Sequence, residues 1–239
     1  MVARYVDRGR EEVRRGVRKA RDTLTVTLHQ RCFYLFCALL VVLMAVPFLE
    51  GWPHGRIILN ILNLSVLVTG ATAIGGLGSL AIGMLLAVPA VLCMIIGQVY
   101  EVRGWVILSN AFSAAFYFIT VSYLLSHTLR RDVLTMDKLY GAASAFLMLG
   151  ALWTYFYFIL LWFHPGAITL NGVPVDRLPP STMLFFSFVT LTSTGMSDVM
   201  PVHPIARTLC TFEMITGLLY ITVLIARLAG SYPPPRDAH

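Results

Sequence analysis

Long runs without charge set the terms on which this chain can fold. Five stretches, at 32–49, 57–74, 79–100, 105–125 and 139–163, contain no lysine, arginine, aspartate or glutamate, and a sixth, at 205–228, contains only three. Each reaches the roughly 18–25 residues that a helix needs to cross about 30 Å of hydrocarbon. The whole chain agrees: 57% of its residues are hydrophobic and 13% charged, with mean hydropathy +0.75, where soluble domains carry about 25% charged residues. An integral membrane protein is predicted. The first apolar run is preceded by too long and too charged a segment to be a cleaved signal peptide.

The positive charges order the six runs. With both ends cytoplasmic, the inner side holds fourteen arginines and lysines: nine before residue 32, then Arg130, Arg131, Lys138, Arg227 and Arg236. The outer side holds four: Arg56, Arg103, Arg177 and Arg207. That asymmetry follows the positive-inside rule, and removing a crossing or inverting the chain spoils it. Six crossings in a cell membrane, both termini inside, is therefore the expected layout. The fourth run, WVILSNAFSAAFYFITVSYLL, has no arginine or lysine, which argues against an arginine-ladder voltage sensor. Asn60, Asn63, Ser65, Ser109, Asn110 and Ser113 are read as hydrogen-bond links between helices.

The leader, 1–30, has a helical apolar stripe of Val6, Val13, Val17, Ala20 and Leu24 among basic residues. It suits an anionic membrane surface, a bundle with its own copies, or a solvated tail that only sets topology. Cys32, Cys37, Cys93 and Cys210 lie in apolar runs without metal-site spacing and are read as small hydrophobes.

The polar exception is FFSFVTLTSTGMSDVMP, residues 185–201. Residues 164–180 before it read as loop, with Pro165, Gly166, Asn171, Gly172, Pro174, Pro179 and Pro180. Ser181 is a candidate cap for a helix over STMLFFSFVTL, about eleven residues and too short to span. The chain is thus expected to dip into the bilayer and climb back through TSTGMSD. Non-helical backbone at that depth must be buried in protein or face a water-filled path. Main-chain and hydroxyl oxygens there can replace an ion's hydration shell, helped by the negative end of the short helix. One such loop per chain requires several copies around an axis.

The segment from about Asp132 to Gly230 resembles the pore module of tetrameric potassium channels. The motif T-x-T-T-V-G-Y-G-D-x-x-P aligns without a gap to TLTSTGMSDVMP, matching at Thr190, Thr192, Gly195, Asp198 and Pro201, with Ser193 keeping a hydroxyl. Arg207 and Gly217 fall where that family often has an outer arginine and a gating hinge. The resemblance implies a selectivity filter of Thr192, Ser193, Thr194, Gly195, Met196, Ser197 and Asp198, supported by Thr190, Phe185 and Glu213. It also implies an inner cavity lined by Gly217, Leu218, Ile221 and Ile225, ordinary helix packing being the alternative for that face. The sequence departs at Met196 and Ser197, which replace the family's tyrosine and second glycine. Phe185 and Phe186 stand for tryptophans, and Val189 for a carboxylate found in some members. Glu213, the one carboxylate within a span, is read as bonding the short helix or its loop through Thr190 or Thr192, or as acting in permeation or pH sensing.

The expected fold is thus all-α: a basic helix over 1–30, a four-helix membrane domain over 31–129, a pore domain over 130–230 and a tail over 231–239. The expected function is a homotetrameric monovalent-cation channel, potassium first and sodium second, with membrane lipid as its other partner. The alternative is a non-conducting pore-fold subunit that regulates or scaffolds. No catalytic motif, resident cofactor or nucleic-acid partner is expected.

Overall fold

The computed structural model describes residues 31–52, 55–73, 85–93, 95–96, 103–128, 136–195 and 198–229. The basic leader, the turn at 75–78, the polar link at 130–135 and the tail lie outside the described residues, as do Met196 and Ser197. Six helices are bounded: α1 (Arg31–Leu49), α2 (Gly55–Ala73), α3 (Arg103–Thr128), α4 (Met136–Phe163), α5 (Pro180–Leu191) and α6 (Pro204–Ala229). Residues 85–93 are helical as well. Four of these are long and apolar enough to cross a membrane, over Cys32–Leu49, Gly104–Ser126, Met136–Phe163 and Pro204–Arg227. The apolar part of α2 is shorter, Ile61–Gly70, and half of the expected third crossing lies outside the described residues.

α4, the expected fifth crossing, is the hub, touching α1, α3, α5 and α6. Its sequence explains this: apolar residues surround the helix instead of forming one stripe, as befits a helix packed on every side. Ala145, Met148 and Tyr157 have no exposed surface. Asp137 in its first turn also accepts a hydrogen bond from the Cys32 backbone N–H at 3.1 Å. One carboxylate therefore serves the N-terminal ends of α1 and α4, where backbone donors and the helix dipoles favour negative charge.

Polar residues join the helices at depth. The Tyr117 hydroxyl donates to Asn63 Oδ1 at 3.1 Å, and Asn63 Nδ2 donates to the Tyr155 hydroxyl at 3.1 Å, tying α2, α3 and α4. Ser109 donates to the carbonyl of Ala90 at 3.0 Å. Ser65, by contrast, bonds back to Leu62 in its own helix.

The all-α expectation needs one correction. Three short strands, β1 (Ile168–Leu170), β2 (Val173–Val175) and β3 (Val199–Pro201), form an antiparallel sheet in the order β2-β1-β3. The β1–β2 connection is Asn171-Gly172, both at positive φ (51° and 81°), the requirement of a tight hairpin whose twist matches its strands. Three-residue strands are too short to show an alternating pattern, so 164–180 reads as loop. β3 pairs Leu170 with Val199 and Ile168 with Pro201, which brings the chain after the short helix back to the chain before it.

Asn63 satisfies two tyrosine hydroxyls. Asn63→Ala should cost about 1–2 kcal/mol, read as a lowered unfolding midpoint in detergent, whereas Ser65→Ala should leave it within about 0.5 kcal/mol.

Candidate functional site

α5 is 12 residues long, about 18 Å at 1.5 Å per residue, and packs against both α4 and α6. Pro179 occupies its N-cap position and Pro180 its first turn, where a missing N–H costs nothing. Ser181 does not cap the helix, contrary to the sequence expectation. Its hydroxyl instead bonds Glu50 Oε2, just beyond α1. A carboxylate from the end of α1 thus stands at the positive end of the short helix.

The other end stops in a well-defined turn. Thr194 N–H bonds the Val189 carbonyl and Ser193 N–H bonds the Thr190 carbonyl, both at 2.9 Å, with Ser193 at φ 56°. This is the Schellman arrangement, which usually places glycine at the left-handed residue. A serine there accepts a cost of about 1–2 kcal/mol. Thr192 Oγ1 bonds the Phe188 carbonyl at 2.7 Å and lies 2.8 Å from Thr194 Oγ1. Thr192, Ser193, Thr194, Gly195 and Asp198 are all exposed in the single chain. Gly195 sits at φ 74°.

Beneath this turn lies a buried polar network. Glu213 of α6 has no exposed surface. Ser187 Oγ is 2.5 Å from Glu213 Oε1 and 2.7 Å from the Gly150 carbonyl. The Tyr157 hydroxyl is 2.5 Å from Glu213 Oε2 and 3.3 Å from Cys210 Sγ. Ser187 and Tyr157 each have one hydroxyl proton and two partners, so a carboxyl proton and the Cys210 thiol proton complete the set. Among the described residues no cation pairs with Glu213. Its partners are Ser187 and Tyr157; Thr190 and Thr192 bond within their own helix, to Phe186 and Phe188.

Two glycines permit the close approach. A Cβ at position 217 would lie 1.9 Å from the Leu191 carbonyl oxygen, and one at 150 would lie 2.6 Å from the Phe188 ring. Gly217, expected as a hinge, is the seat of the last turn of α5. Phe186 packs on Tyr157 with ring centroids 5.0 Å apart, whereas Phe185 is half exposed and turned away from this core. On α6, Leu218, Ile221 and Ile225 are exposed in the single chain, at spacings that put them on one helical face. Arg207 Nε donates to the Pro201 carbonyl at 3.2 Å, holding β3. His164 and His203 stack at 4.7 Å, joining the end of α4 to the start of α6.

Ser187, Tyr157, Gly150 and Glu50 were not singled out from sequence. A serine set between Phe186 and Phe188 in the middle of an apolar helix was the available signal for Ser187. Tyr157 sits in an aromatic run that gives no sign of which ring faces the carboxylate.

A sequence family described as ion channel matches residues 143–231, which takes in most of α4, the sheet, α5 with its turn, and α6. The match supports an ion-channel function and, with the four long apolar helices, a membrane-embedded protein. No curated protein and no solved structure matches the chain.

Glu213→Ala strands two hydroxyls and should cost about 2–4 kcal/mol, seen as reduced thermal stability in detergent. Glu213→Gln, whose amide still offers a donor and an acceptor, should retain most of it. Gly217→Ala should cost about 3 kcal/mol or more, because the clash is with backbone. Gly104→Ala, with nothing within 4 Å of the new Cβ, should be neutral or slightly stabilising. A stable Gly217→Ala protein would show that α5 and α6 do not meet this closely.

Proposed function

We propose that this protein is the pore-forming subunit of a homotetrameric monovalent-cation channel, with potassium the preferred ion. The observation that carries the reading is α5: an apolar helix too short to cross, wedged between two that can, ending in a hydroxyl-rich turn that the protomer leaves exposed. Four copies around an axis would bring Thr192–Gly195 together as the narrow part of a pathway. Oxygens there would replace water around a dehydrated cation. The partly negative end of α5 points its field the same way.

The remaining features fit this arrangement. The chain makes six crossings of a cell membrane with both ends inside, in keeping with the fourteen-to-four distribution of positive charge. Met196, Ser197 and Asp198 complete the filter, and Leu218, Ile221 and Ile225 line an apolar inner cavity that can close by losing its water. Gly217 keeps α6 against the filter base, and Glu213 supports it through Ser187 of α5. The positive charges of the basic leader would be drawn to anionic lipid. The chain conducts and does not catalyse, and it needs no resident cofactor beyond the permeant potassium or sodium ion. Gating does not use an arginine ladder, since α3 presents none.

Purified protein in lipid vesicles should form tetramers and dissipate a potassium gradient faster than a sodium gradient. Gly195→Ala puts a Cβ on a left-handed residue at about 1–2 kcal/mol per subunit and should lower flux at least about tenfold. Ser193→Gly, which relieves the same strain, should preserve it. Folded tetramers that pass no ion at any voltage or pH would overturn the conducting reading in favour of a regulatory or scaffold subunit.

A further inference from the structure

Thr192 to Gly195 are exposed in the single chain, and nothing lies within 4 Å of where a Cβ on Gly195 would sit. The place of this stretch is therefore set by how the chain is fastened before and after it. Before it, Leu191 lies over Gly217 of α6, and the turn at Ser193 and Thr194 closes α5. After it, residues 198–203 run along the segment 167–171.

That second fastening is mostly backbone pairing. The Asn171 N–H donates to the Asp198 carbonyl at 2.9 Å, one step past the last strand pair, Leu170 with Val199. At the other end of β1, the Ala167 carbonyl accepts from the N–H groups of Val202 and His203, at 3.0 and 3.2 Å. Thr169 adds a side chain: its Oγ1 donates to the Met200 carbonyl at 3.3 Å. Thr169 is only 6% exposed, and Ala167, Ile168 and Val199 are buried too, so water competes little for these bonds. β1 in turn is tied to α4. Four residues separate the two, and the Ala167 N–H bonds the His164 carbonyl at 3.1 Å. β2 lies on the opposite edge of β1.

We infer that β1 positions the outer end of the ion path, with Thr169 and the Asn171 N–H as the groups on which ion discrimination depends. This rests on the channel reading and names residues which that reading leaves out. Potassium and sodium are told apart by the number, spacing and field of the oxygens around the ion. A functional site of this kind must be held to about 0.5 Å. A displacement of that size leaves the fold intact, because the remaining pairs of β1 with β3 persist. Thr169 meets no ion itself; it fixes Met200, and through the strand Asp198. The chain enters the hydroxyl-rich stretch from a helix seated on α6 and leaves it onto a strand paired to an extension of α4. Both anchors set where its oxygens lie.

The test compares potassium and sodium efflux from vesicles that hold folded tetramers of the full chain. Thr169→Val keeps the shape and removes the hydroxyl, and should lower the potassium-to-sodium flux ratio about fivefold. Thr169→Ser keeps the hydroxyl and should hold the ratio within about twofold of the unsubstituted protein. An ester in place of the Asn171 amide removes that N–H alone and should lower the ratio at least as far as Thr169→Val. A glycine inserted after Gly172 lengthens the tip without touching the bonds between β1 and β3, and should leave the ratio unchanged. An unchanged ratio in both Thr169→Val and the ester variant would overturn the positioning role and leave the channel reading standing. So would loss of tetramers in both, which would make β1 a folding element. Unsubstituted tetramers that pass no ion would overturn the channel reading and this inference with it. Tetramers that pass both ions equally would remove the potassium preference and this inference together.

Discussion

A carboxylic side chain with no exposed surface holds the pore-like half of this molecule together. Glu213 reaches α5 through Ser187 and α4 through Tyr157, and Ser187 also touches the backbone of α4 at Gly150. In lipid there is little hydrophobic drive to press one helix on another, so packing and hydrogen bonds supply the specificity. A short helix needs such fixing more than a long one, because it cannot hold its place by spanning. The network fixes α5 at its middle, and the two glycines let neighbouring surfaces close around it.

Those contacts give the end of α5 its character. Phe188 lies on Gly150 and the Leu191 carbonyl lies over Gly217, so the helix is seated on both sides where it terminates. The strain at Ser193 is then held by surroundings that leave the turn little alternative. At the opposite end, Glu50 bonds Ser181. The first helix therefore meets the short helix directly, and a shift of α1 reaches α5 without passing through α4.

Much of the architecture was legible because bilayer thickness turns composition into length. Uncharged runs marked the long helices, and a run of about eleven residues between proline-rich and hydroxyl-rich stretches marked the short one. The glue role of Asn63 and Ser109 was legible too, since amides and hydroxyls at membrane depth need partners. What stayed hidden depended on rotation and on very short range. Ser65 sits two residues from Asn63 yet faces its own helix, and hydropathy carries no record of which way a side chain points. The hairpin was written in Asn171-Gly172, but its strands were too brief to announce themselves. Ser181 resembled a cap because serine often caps, and the two preceding prolines place it two positions past the cap. Glu213 stood out as a lone acid, while its partners came from sequence positions 26 and 56 residues away, a pairing only the packed structure supplies.

The outer strands carry a consequence for how this chain tolerates change. Leu191 is seated on α6, and Val199 is paired to β1, so the chain leaves one fixed post at 191 and meets the next at 199. The tip at Asn171–Gly172 is exposed, and its Asn171 N–H bonds the Asp198 carbonyl at 2.9 Å. Doubling its length costs only about 0.6 kcal/mol of closure entropy. Extra length placed after Gly172 is therefore tolerated best, since it spares both the Asn171 bond and the pairing of β1 with β3.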